Sequence, residues 1–121
     1  MTANELMIGN YHFYHIEDPM DEREEYDEVS RIDYDDLRVL TEFDDNPEYK
    51  PIPLTEEWLF KLGFKRWTSK RKDKTYSNGM VIIHERKNGY SLASRYVRYV
   101  YVHQFQNLYF ALTGSELTIQ D

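Results

Sequence analysis

The chain contains no cysteine. That absence removes a disulfide framework, a thiolate nucleophile and a cysteine zinc site together, and leaves packing as the source of stability. No stretch approaches the 18 or so consecutive apolar residues of a membrane-spanning helix, and the first residues lack the basic start and apolar run of a secretion signal. The expectation is a soluble, cytoplasmic protein. Glycine is scarce, five among 121 residues, and none falls in a phosphate-cradling loop or a nucleophile elbow. Positive charge is in deficit as well: 15 Lys and Arg against 22 Asp and Glu give a net charge of −7, which disfavours non-specific attraction to nucleic acid or an anionic membrane.

What the chain does have is rings and an uneven charge map. Aromatic residues make up 16% and eleven of them are tyrosines, so much of the burial falls to rings with a polar tip, suited to strand faces and interfaces. Between Glu17 and Glu48 there are fifteen carboxylates against Arg23, Arg31 and Arg38, a net of −12 that leaves +5 for the remainder. The length is that of one domain. The expected architecture is α+β: a small antiparallel N-terminal acidic β lobe, 1–50, then a C-terminal αβ lobe, 51–121, with an antiparallel meander and two short helices at about 55–62 and 103–113.

The segment 51–64, PIPLTEEWLFKLGF, joins the two lobes. Pro51 and Pro53 keep the chain extended and delay the helix. Thr55 is the natural N-cap, Glu56 and Glu57 sit at the positive end of the dipole, and Leu54 is placed to staple onto Leu59. Gly63 in the left-handed conformation closes the helix and folds Phe64 back towards Leu59. Trp58, Leu59 and Leu62 make the buried stripe.

Before this hinge, Leu6–Ile16 reads as a strand with a bulge at Gly9 and Asn10. Asp18–Pro19 can open a short acidic helix reaching about Glu28, or the segment is a solvated loop. Val29–Tyr34 and Leu37–Phe43 alternate as two strands joined at Asp35 and Asp36. After the hinge, Asn78–Gly79 and Asn88–Gly89 are hairpin signals, so 65–77, 80–87 and 90–94 form the meander and Val97–Val102 a further strand. Val102, Phe105, Leu108, Tyr109 and Leu112 recur at helical spacing up to Gly114. Glu116–Ile119 can add one more short strand.

Three sets of residues carry candidate chemistry. The acidic set is Asp18, Asp21, Glu22, Glu24, Glu25, Asp27, Glu28, Asp35, Asp36, Asp44 and Asp45, whose carboxylates can stand in for phosphates in a partner's basic channel; the bland alternative is solvated loops and turn caps. The basic and aromatic set is Lys65, Arg66, Trp67, Lys70, Arg71, Lys72, Lys74 and Tyr76, able to hold phosphates while rings stack on bases, or else a lysine-protected edge hairpin. The third set, His84, Glu85 and His103, contains acid and base types without a nucleophile motif. His12 and His15 point to opposite faces of a strand, so neither a metal nor another cofactor is expected.

PIPLTEEWLFKLGF at 51–64 and YVHQFQNLYFALTGSELTI at 101–119, with an IGN strand start at Ile8–Asn10 and a KNGY turn at Lys87–Tyr90, resemble a family of small uncharacterised proteins from genomes, phages and mobile elements of Bacteroidetes. The resemblance covers about half of the chain and brings no catalytic residues with it. With the acidic segment 17–48 added to such a scaffold, the expectation is a non-enzymatic interaction protein that inhibits a host nucleic-acid-targeting defence complex such as an RNA-guided nuclease, in the manner of an anti-CRISPR. The partner would be a host protein or ribonucleoprotein with a basic channel. The alternative is a small nucleic-acid-binding module using 65–76.

Overall fold

A computed structural model describes residues 1, 5–17, 25–42, 48–67, 74–92 and 98–120, with the backbone alone at 15–17 and 25–27. Among the described residues it is an α+β structure with two antiparallel sheets, of three and four strands, and three helices. The chain divides into two compact units, Met1–Ile52 and Pro53–Asp121.

In unit 1, a turn at Met7–Asn10 leads into the first strand. The Asn10 side chain accepts from Met7 N–H (2.7 Å), and Gly9 N–H donates to Ile32 (2.8 Å). Strand β1, Tyr11–Glu17, pairs along its whole length with β2, Glu25–Arg31, and on its other side with the two-residue β3, Tyr49–Lys50. The sheet order β2-β1-β3 makes β2 an edge. Between β2 and β3 lies helix α1, Tyr34–Glu42. It corrects the expected strand at 37–43. Asp33 and Asp36 form a reciprocal capping box: Asp33 N–H donates to Asp36 Oδ2 (2.9 Å) and Asp36 N–H to Asp33 Oδ1 (2.8 Å). These bonds satisfy two otherwise orphaned donors, and the carboxylates lie at the positive end of the dipole. Leu40 is thereby buried with Leu6, Ile32 and Tyr49, and Leu37 and Val39 are half-buried against them. The alternation at 37–41 lies within an amphipathic helix.

The segment from Asp18, which the sequence leaves as either a short acidic helix or a solvated loop, is neither at its end, since Glu25–Glu28 belong to β2. A continuous antiparallel register from Tyr11↔Arg31 to Glu17↔Glu25 holds them extended. Residues 18–24 lie outside the described ones.

Unit 2 opens with the hinge helix α2, Glu56–Lys61. Thr55 Oγ1 accepts from Trp58 N–H (3.3 Å), Leu54 and Leu59 are both buried, and Lys61 closes the last turn over the Trp58 ring. At the far end Gly63 has φ +90°, Gly63 N–H donates to Phe60 (3.1 Å) and Phe64 N–H to Leu59 (2.9 Å). These are the two bonds of a Schellman cap. The meander follows as β4 Lys65–Trp67, β5 Thr75–Ser77, β6 Ile82–Arg86 and β7 Gly89–Ser91, in that spatial order. The expected single strand 65–77 is therefore two paired strands, because Lys65↔Ser77 and Trp67↔Thr75 fold the segment on itself.

The last helix, α3, runs Val102–Thr113 and ends on Gly114 with φ +72°. Its buried side is Val102, His103, Phe105, Gln106 and Tyr109, whereas Leu112 is exposed. Phe64 packs on Phe105 with ring centroids 5.4 Å apart. In place of the strand expected at 97–102, Tyr99 and Tyr101 make isolated bridges to Tyr90 and Pro53. Residues 116–119 form no strand, and Val97 lies outside the described residues. Among the described residues no helix is long and apolar enough to cross a membrane.

Candidate interaction surfaces

Among the described residues the acids of unit 1 divide into structural and exposed carboxylates. Asp36 is committed three ways: it caps α1, it accepts the Tyr49 hydroxyl at 2.7 Å, and it is half-buried. Asp33 shares that cap, and the backbone N–H of Asp36 holds its carboxyl below the usual range. Glu48 accepts the Tyr14 hydroxyl at 2.6 Å. Glu28, Asp35 and Glu42 are exposed. Glu25, Asp27 and Glu28 all lie on β2, the outer edge of the sheet. Asp18, Asp21, Glu22, Glu24, Asp44 and Asp45 lie outside the described residues.

Beneath this surface the strand β1 buries His12. A backbone carbonyl accepts only, so the 3.1 Å contact of Nδ1 with Phe13 O fixes the proton on Nδ1. The ring stacks on Tyr49 (centroids 5.1 Å, 28°) and meets Tyr14 edge-on at 6.5 Å, and Nε2 is buried without a hydrogen-bond partner. Burial pulls the His12 pKa below its ordinary value, against the carboxylates of Asp36 and Asp33. The Tyr49 hydroxyl is pushed up, first by burial and then by its bond to Asp36; Tyr14 is raised chiefly by its bond to Glu48.

The basic and aromatic set of unit 2 is also divided. Arg66, Tyr76 and Ile83 share one row of the sheet and Lys65, Ser77 and Ile82 another, so alternate residues fall on opposite faces. Tyr76 is fully buried and donates its hydroxyl to Glu56, which puts its ring out of reach of a base. Burial, then Glu56, raises its pKa, and the neighbouring Tyr90 is raised by burial and by Glu85. Trp67 remains half exposed (50%) on the edge strand β4, between Arg66 and the segment holding Lys70, Arg71 and Lys72, which lies outside the described residues; Lys74 is exposed.

Lys65, Arg66 and Trp67 line a groove of about 410 Å³ together with Met80 and Ile82, and Ser77 and Gly79 complete its lining. Met80 and Ile82 are absent from the basic and aromatic set, because 80–87 reads in the sequence only as a strand of the meander. The signal was alternation within it: Val81 and Ile83 are buried while Met80 (66%) and Ile82 (37%) are exposed.

His84 and Glu85 fall on opposite faces of the sheet. His84 shares its row with Thr75, whose hydroxyl is 3.0 Å from Nδ1, while Glu85 lies one residue on, in the row of Tyr90. His103 is buried on α3. Among the described residues no group of three or more His, Asp or Glu is arranged to hold a metal ion.

No protein-family model, curated protein or solved structure matches the chain.

Proposed function

We propose that this chain is a non-enzymatic interaction protein, of the phage or mobile-element kind its sequence resembles, that inhibits a nucleic-acid-processing complex. It does so by laying the acidic edge of unit 1 in that complex's basic channel, and an RNA-guided nuclease is the type of partner such an edge suits. The observation that carries this reading is the position of β2: seven residues at the rim of a sheet, with Glu25, Asp27 and Glu28 on them. A strand advances about 3.4 Å per residue, so carboxylates two positions apart repeat at roughly twice the 3.4 Å axial spacing of phosphates along one strand of a duplex. Docking would release counterions from the channel as a nucleic acid does.

The division of labour among the acids supports the same reading. Asp33 and Asp36 hold α1 and Tyr49, so removing them would damage the fold, whereas Glu28, Asp35 and Glu42 are exposed. The contact set is the exposed Glu28 and Asp35 with Glu25 and Asp27 of the same edge strand as Glu28, continued by Asp18–Glu24 in the sequence. Replacing Glu25, Asp27, Glu28 and Asp35 by lysine is expected to leave the circular dichroism and the thermal midpoint close to the original. The same change is expected to abolish inhibition of nucleic-acid binding by the captured partner. Inhibition that survives the reversal rules out the mimicry.

A further inference from the structure

The groove beside β4 is a second surface, of opposite character, in the other unit. β4 is the outer strand of its sheet, and all three of its residues are exposed. Among the described residues Lys65 and Arg66 have no ion-pair partner, although carboxylates outnumber cations in the chain. Beside them Trp67, Met80 and Ile82 present apolar surface into one concavity. A sheet edge leaves the outward N–H and C=O groups of alternate residues unpaired, a template for another strand. Lysine on an edge usually discourages such pairing, but a half-exposed tryptophan with a methionine and an isoleucine does the reverse.

We infer that β4 is a docking edge for an extended segment of a partner protein that adds antiparallel to it, with side chains in the order apolar, acidic, acidic. The order follows from the register. An antiparallel strand entering opposite Trp67 places its next residue opposite Arg66 and the one after opposite Lys65. The apolar residue then meets Trp67 and the groove walls, and each carboxylate faces a guanidinium or ammonium that has no ion-pair partner among the described residues. Main-chain bonds supply affinity and the three side chains supply specificity. A single-stranded nucleic acid is the less suitable occupant. Such proteins stack successive bases on several rings, and with Tyr76 buried Trp67 is the one ring in the groove lining.

The test uses the full-length protein and a fluorescein-labelled peptide with a central Val-Glu-Glu, followed by anisotropy. Four comparison probes are used: the Glu-Glu-Val order, a Val-Lys-Lys version, the Val-Glu-Glu peptide N-methylated at alternate amides, and an oligothymidylate of similar length. Saturable binding of Val-Glu-Glu is expected, weakened about tenfold or more by K65E/R66E, by Met80→Glu and by N-methylation. Both variants change exposed side chains, and an unchanged circular dichroism spectrum shows that the fold is kept. Binding insensitive to order or to N-methylation overturns the strand-addition geometry. Tighter binding of the oligothymidylate assigns the edge to nucleic acid instead. Tyr26, Asp27 and Glu28 of the chain's own β2 also read apolar, acidic, acidic. Salt-sensitive self-association in sedimentation, lost in K65E/R66E, would make a second copy the occupant and overturn the partner segment, as would no binding of any probe.

Discussion

In unit 1 the buried and half-buried rings are tied to ionisable groups: Tyr14 to Glu48, Tyr49 to Asp36, and His12 stacked on Tyr49 and edge-on to Tyr14. In unit 2 the core is built mainly from side chains with nothing to titrate, Leu59, Leu62, Phe64, Ile83, Val102 and Phe105, with the fully buried Tyr76 donating its hydroxyl to Glu56. A core that relies on hydrogen-bonded rings is sensitive to protonation, because each group must keep one charge state to stay satisfied. An apolar core answers mainly to volume. The two units therefore call for different perturbations.

The largest effect is expected from volume in unit 2. Phe105→Ala empties a fully buried site against Phe64 and is expected to cost about 3–5 kcal/mol, read from urea unfolding.

Acid is the corresponding perturbation of unit 1. His12 has its pKa lowered by burial, so as pH falls below 6.5 the unfolded chain takes up the proton before the folded one. Stability of unit 1 is expected to fall from that point, by at most about 1.4 kcal/mol per pH unit from this residue. It should stop falling on this account once the folded histidine titrates as well. The urea midpoint between pH 7.5 and 5 is the measurement, and His12→Phe is expected to flatten it. The tyrosines act in the opposite window: Tyr14 and Tyr49 are raised above 10, so their contribution is lost as the solution passes above that value.

Backbone geometry gives a smaller contrast within unit 2. Gly89 has φ +132°, and a Cβ there would stand 2.9 Å from the Tyr99 carbonyl oxygen, which cannot turn aside; at Gly63 the corresponding neighbour is the Gln120 side chain at 2.8 Å, which can. Gly89→Ala is expected to cost more than about 1 kcal/mol and to exceed Gly63→Ala in thermal denaturation. Smallest is the α2 cap, where Thr55→Ala is expected to cost about 1 kcal/mol.

How much of this was legible in the sequence differs between the units for physical reasons. The hinge helix could be read to its caps because Thr55, Gly63 and Phe64 each act on near neighbours. The last helix was legible in extent, but its face was read wrongly at Leu112, since His103 and Gln106 were buried instead; Gln106 is satisfied by the Leu117 carbonyl at 2.9 Å. In unit 1, α1 was misread because Leu37, Val39 and Thr41 fit period two. The local cue that outweighs them is Asp33 with Asp36, an unusual capping box made of two aspartates. The hairpin of β4 and β5 was hidden by its polar composition, and of its two rings only Tyr76 faces in while Trp67 is half exposed. The split of the acidic set depends on Tyr14 and Tyr49, which lie 34 and 13 residues from their carboxylates.

The account stands most directly on one capture experiment. The tagged chain and its Glu25, Asp27, Glu28 and Asp35→Lys variant are presented to a bacterial lysate, and the retained proteins are identified and assayed for nucleic-acid binding. The account predicts that the original alone retains a basic nucleic-acid-processing protein or ribonucleoprotein and lowers its affinity for nucleic acid, in a salt-dependent way. Retention of the same partner by both forms, or of no such partner by the original, would contradict it.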